Sequence, residues 1–192
     1  YSSAASDVYK RQADDMLMDK SEIEGRVELP SVLDLKPGDE IMVQAVKDPA
    51  GTKGVRLTRH LSFAGRYVVF LPTLSFAGVS RKITDEKTRE RLTKIAEKYR
   101  PEGKGIIIRT AGENARKGEI KNEIRYLEDQ FKEIEENFAF AKPATCIYEE
   151  GNVGIRLLRD VYTKDVDKFV VSDRDLYLSL IHISEPTRLA LI

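Results

Sequence analysis

The sequence predicts a mixed fold, α+β with α/β elements, and three observations predict it. Short runs of β-branched and apolar residues bounded by glycine and proline mark strands. Two longer stretches repeat their apolar residues at helical spacing. After Pro143, strand, helix and strand signals alternate as at the start of a new α/β unit.

In chain order, residues 13–38 mix acids with short apolar groups around Pro30 and Pro37 and read as a long irregular connection. From Glu40 the pattern changes. IMVQAV alternates as a strand, PAGTKG supplies a turn, and VRLTRHLS and GRYVVFLP follow as two further strands of a short antiparallel unit. Thr84, followed by Asp85 and Glu86, fits a helix start, because a hydroxyl caps free amides and acids favour the positive end of the helix dipole. That helix runs to about Tyr99 with Leu92, Ile95, Ala96 and Tyr99 on its apolar side, and Pro101 and Gly103 stop it before the strand GKGIIIRT. Ile120, Ile124, Leu127, Phe131, Ile134 and Phe138 then recur in steps of four and three, a core-facing stripe on a second, longer helix. Beyond Pro143, TCIYE reads as a strand, NVGIRLLRDV as a short helix and KFVVSD as a strand.

The two ends read differently from the rest. SSAASDVYKRQ translates a transposase library adapter, and LSLIHI, from Leu178 to Ile183, is the same DNA element read in the opposite orientation. Residues 1–12 and 178–192 are therefore expected to be adapter-derived tails, leaving 13–177 as a piece truncated at both ends.

A 41% hydrophobic content supports a real core. No apolar run approaches the roughly 20 residues needed to cross a bilayer, so no membrane segment is expected. The single cysteine, Cys146, excludes an internal disulfide and a multi-cysteine zinc site, and is expected to be a buried thiol. Lys and Arg number 32 against 32 Asp and Glu, and removing the tails changes that balance little. Any grip on nucleic acid has to come from local clustering, not from an overall basic field.

Three clusters offer chemistry. Lys53, Arg56, Arg59, His60 and Arg66 lie on and between the strands, with Lys53 in the turn and Arg56 tending to the face opposite Arg59. They read either as a solvated face or as an OB-type surface that follows a single-stranded RNA backbone. GVSRKI, Gly78 to Ile83, places a glycine, Ser80, Arg81 and Lys82 before a helix, where exposed amides could hold an anion. GIIIRTAG makes a buried strand from which Arg109 and Thr110 emerge into a loop. A guanidinium fork beside a hydroxyl suits a terminal phosphate, and a strand-end salt bridge is the alternative. No carboxylate pair, Gly-rich nucleotide loop or histidine cluster suggests a catalytic centre.

The strings GDEIMVQAVKDPAGTKGVRLTRHLSFAGRYVVFLPT, GVSRKI, GIIIRTAG and IRLLRDVYTKDVDKFVVSD, in that order and spacing, resemble the ribonuclease E/G family over nearly all of 13–177. The resemblance implies a partial OB-type RNA-binding domain at 13–64, a 5′-monophosphate sensor subdomain at 65–142 and the start of a ribonuclease H-like unit at 143–177. By position, it implies that Arg109 and Thr110 bind the 5′-phosphate, that Arg81 supports them, that Gly65 and Val69 supply pocket backbone, and that Lys53 belongs to the RNA clamp. The implied parent is a cytoplasmic, homo-oligomeric endoribonuclease acting on single-stranded RNA with a 5′-monophosphate, using magnesium and sharing a zinc between protomers. Its catalytic aspartates and zinc cysteines would lie beyond this chain, so the piece is expected to be inactive alone. A noncatalytic RNA-binding relative with the same parts is the alternative.

Overall fold

A four-stranded sheet with two helices packed on one face forms the centre of the chain, and a two-stranded ribbon precedes it. The structure, a computed structural model, describes residues 34–47, 49, 51–150, 159, 170–175, 177 and 178. β1 (Gln44–Lys47) and β2 (Arg56–Thr58) pair antiparallel as the ribbon. β3 (Phe63–Ala64), β4 (Val68–Leu71), β5 (Ala77–Val79) and β6 (Gly105–Ile108) make the sheet, in the order β3-β4-β6-β5. β4 is antiparallel to both β3 and β6, whereas β5 lies parallel to β6. The parallel pair needs a crossover, which α1 (Glu86–Tyr99) provides. A 3₁₀ turn over Thr110–Gly112 leads from β6 into α2 (Lys117–Phe140).

Strand alternation sorts the apolar runs VVFL and GIII onto two covered faces. Val68, Phe70, Ile106 and Ile108 point to the helices and meet Leu92, Ile95 and Ala96 of α1 and the α2 stripe from Ile120 to Ile134. Val69, Leu71 and Ile107 point the other way and pack with Leu74 and Phe76 from the β4–β5 connection. Phe131 of α2 meets Phe63 and Phe70 at ring-centroid distances of 5.8 and 6.1 Å. The helical stripe, and the strands read at GRYVVFLP and GIIIRT, thus lie where the periodicity put them, but GRYVVFLP pairs in the four-stranded sheet and not in one unit with IMVQAV and VRLTRHLS.

Several expectations need correction. Asp85, not Thr84, caps α1: its Oδ2 accepts from Thr88 N at 2.8 Å, and hydrogen bonds from the Thr88 side chain and then its backbone hold the Asp85 carboxyl below the usual range. VRLTRHLS is not one strand but β2 and part of a bend, because Thr58 Oγ1 accepts from His60 N at 3.2 Å and turns the chain before β3. Within IMVQAV only the part from Gln44 onward pairs. GVSRKI is not a loop of exposed amides: Gly78 and Val79 belong to β5, and Ser80 N donates to Ile108 O at 2.8 Å. TCIYE is not a strand, since Ala144 takes a positive φ of 61° and Thr145 N turns back to Lys142 O at 3.2 Å. That irregular path leaves Cys146 exposed, not buried.

One compact unit runs to Ile147 and a second begins at Tyr148. In the second, Arg159 Nη1 lies 2.7 Å from Glu150 Oε1. Residues 13–33 of the connection read over 13–38, nearly all of the helix read over 152–161 and the first residues of KFVVSD lie outside the described residues. The described part of KFVVSD is not strand and precedes a helical stretch from Arg174.

Phe70 is fully buried between the sheet and α2. Phe70→Ala should cost about 3–5 kcal/mol of folding free energy, read from urea midpoints. A loss well below 1 kcal/mol would contradict a close-packed interface between β4 and α2.

Candidate functional site

Three segments meet at one end of the four-stranded sheet, and the register explains why. β4 and β6 run antiparallel with Val68 opposite Ile108, so the start of β4 lies beside the end of β6. β5 and β6 run parallel with Val79 opposite Ile108, so the end of β5 arrives at the same place. The turn at residues 65–67, Arg109 with Thr110, and Ser80 with Arg81 therefore share one edge. The carboxyl ends of parallel strands are where open α/β sheets bind ligands.

Arg109 is held by both backbone and side chain. Its N–H donates to Tyr67 O at 2.7 Å, and Nη1 donates to Gly65 O at 2.5 Å. A guanidinium carries its five N–H donors in one rigid plane, so anchoring one of them fixes the direction of the others. Thr110 follows, exposed, at the start of the 3₁₀ turn, where its carbonyl accepts from Glu113 N at 3.0 Å. Arg81 is exposed one residue past Ser80. The loop that carries it is braced by Arg89, whose Nη1 donates to Ser80 O at 3.2 Å and to Ile83 O at 3.3 Å. Arg66 adds a further cation at the turn, 5.3 Å from the centre of the Tyr67 ring.

α2 contributes a residue that sequence reasoning missed. Glu123 Oε1 accepts from Arg66 N and Oε2 from Tyr67 N, both at 2.7 Å. The carboxylate lies directly against Gly65, where a Cβ would sit 2.6 Å from Glu123 Cδ. A larger residue there would have to displace the Glu123 carboxylate. Burial pushes the Glu123 carboxyl above the usual carboxylate range, opposed by the amides of Tyr67, Arg66 and Val68 and by the charge of Arg109. One signal was present in the sequence: an acid at position 123 lies beside the apolar stripe, next to Ile124 and one turn after Ile120.

The remaining sequence-derived candidates fall elsewhere. Val69 lies inside the ladder opposite Ala64 and Ile107, with its side chain in the second cluster. Lys53 is exposed in an isolated bridge, and Arg56 is half-buried in β2. Arg59 borders an open groove of about 410 Å³ whose apolar lining includes Met42, Leu61, Phe131 and Phe138. These cations belong to the ribbon and its exit, not to the sheet end that carries Arg109. His60 Nδ1 lies 3.4 Å from Thr73 Oγ1. Among the described residues, no group of three or more His, Cys, Asp or Glu is placed to hold a metal ion, and no helix is long and apolar enough to cross a membrane.

Residues 62–188 match the sequence model of the Ribonuclease E/G family. Ribonuclease G of Escherichia coli (strain K12) is 37% identical over 150 residues, covering 78% of this chain and 31% of that protein. Ribonuclease E of Nostoc sp. (strain PCC 7120) is 34% identical over 137 residues, covering 71% of this chain and 20% of that protein. Ribonuclease E of Synechocystis sp. (strain PCC 6803) is 33% identical over 138 residues. The chain thus spans about a third of the ribonuclease G relatives and about a fifth of the ribonuclease E relatives.

The raised Glu123 pKa has a signed consequence. A carboxyl that binds its proton more tightly when folded adds stability as pH falls through its folded pKa, down to its unfolded value. Between neutral pH and the usual carboxylate range, the unaltered chain should gain stability relative to Glu123→Gln as pH falls, measured by urea midpoints. A flat difference would mean that burial does not shift this group.

Proposed function

Because the chain belongs to the ribonuclease E/G family, we propose that it is the RNA-binding and 5′-end-sensing part of a bacterial, cytoplasmic endoribonuclease specific for single-stranded RNA. The observation that carries this reading is the guanidinium of Arg109, anchored on Gly65 O at the carboxyl end of β6 beside an exposed Thr110. A fixed guanidinium fork next to a hydroxyl matches the planar, multi-oxygen acceptor of a terminal phosphate. An internal phosphodiester offers fewer acceptors and less charge, so such a receptor favours a 5′-monophosphate end. Arg81, from the adjoining parallel strand end, adds positive charge on the same edge. Gly65 serves as the backbone anchor of Arg109, and Val69 holds the strand behind the turn.

Lys53, Arg56 and Arg59 of the ribbon supply sequence-independent contacts to the RNA backbone in this reading. Magnesium-dependent cleavage, a shared zinc and oligomeric assembly are expectations for an intact parent, and the proposal for this chain does not draw on them. The function proposed for this chain is recognition alone.

Matched short single-stranded RNAs carrying a 5′-monophosphate or a 5′-hydroxyl, bound to the 192-residue chain at fixed salt, test the reading. A charge-assisted contact is worth about 1.5–3 kcal/mol, so Arg109→Ala should weaken the monophosphate RNA by about 10- to 150-fold. The hydroxyl RNA should be little affected, and so should the melting temperature. Equal binding of both RNAs by the unaltered chain would sink the proposal, and unfolding of the variant would favour a structural role for Arg109.

A further inference from the structure

We infer that Glu123 is a positioning residue of the 5′-end receptor, acting through the 65–67 turn on Arg109; the inference rests on the phosphate reading above. The route is a chain of hydrogen bonds. Glu123 grips Arg66 N and Tyr67 N with one carboxylate oxygen each, both at 2.7 Å. Those two amides belong to the turn whose carbonyls, Gly65 O and Tyr67 O, hold the Arg109 side chain at 2.5 Å and its backbone N–H at 2.7 Å. One carbonyl of this short turn thus aims the guanidinium, a second holds the Arg109 backbone, and one carboxylate on α2 holds the turn.

The packing leaves the arrangement little freedom. A Cβ at Gly65 would run into the carboxylate. The other side of the turn is fixed by Gly65 N donating to Val68 O at 2.7 Å. The carboxylate also offsets the charge of Arg109 in a partly buried setting, so the guanidinium need not swing out to solvent when no ligand is present. A receptor whose donor is held in place before its ligand arrives loses less conformational freedom on binding.

Glu123→Gln is the discriminating change, because it keeps the shape, removes the charge and sets an NH₂ group against an amide N–H. Two readouts are taken on the 192-residue chain: the 5′-monophosphate over 5′-hydroxyl preference for short single-stranded RNA, and the rotation rate of the Arg109 guanidinium by ¹⁵N NMR in the absence of RNA. Slow rotation in the unaltered chain that becomes fast in Glu123→Gln, together with a preference that falls at least tenfold while hydroxyl RNA binds as before, is the expected result. Unchanged rotation, or an undiminished preference in the variant, overturns the inference. If the unaltered chain shows no monophosphate preference yet its guanidinium is released by the substitution, the positioning role stands and the phosphate reading fails. Should the Gln chain not fold, Glu123→Asp, with charge and both oxygens on a shorter stem, carries the same pair of measurements.

Discussion

Ile106, Ile107 and Ile108 lie between an antiparallel neighbour, β4, and a parallel one, β5, and the four-stranded sheet and its two helices are arranged around that strand. Two of its side chains face α1 and α2 and the third faces the opposite cluster, so β6 is covered on both sides and paired along both edges. A strand in that position cannot slip by one residue without exchanging its two faces. Its fixed register therefore sets where Arg109 leaves the sheet, which partners wait there, and where α2 begins.

Much of this was legible in the sequence, and the reasons differ by element. The α2 stripe and the α1 apolar side are local patterns, and helical spacing alone locates them. β4 and β6 announce themselves as unbroken apolar runs, which is what burial on both faces demands. β5 was not legible because Ala77, Gly78 and Val79 have little strand character of their own; they are held by the ladder to Ile106–Ile108, and a Cβ at Gly78 would run into the Phe76 ring. TCIYE failed in the opposite sense, having the composition of a strand but a turn at Ala144 in place of a partner. At the site, Arg109 and Thr110 could be picked out from their position after a buried strand. Glu123 showed only as an acid beside the α2 stripe; its role was not legible, because its partners stand 57 and 56 positions away and only the folded sheet brings them together.

A chain with equal numbers of acids and bases gains no long-range pull on a polyanion. The structure answers with placement instead of excess. Arg66, Arg81 and Arg109 are gathered at one sheet end, and Glu123 faces backbone amides there. The acid is engaged by N–H groups of the turn and also interacts with the charge of Arg109. A recognition surface of the kind proposed above would depend on geometry more than on net charge.

The distance in sequence between Glu123 and its turn also says something about how the molecule comes together. β5, α1 and β6 are consecutive and close over a modest loop, whereas the 65–67 turn is completed only when a helix more than fifty residues downstream has docked. Low-separation contacts form early and high-separation ones late, and the last joints made are commonly among the first to open. The proposed receptor would then be among the later parts of the fold to close. A ligand bridging the turn and the end of β6 would add its binding energy at that joint, so loading the pocket would slow local opening there first.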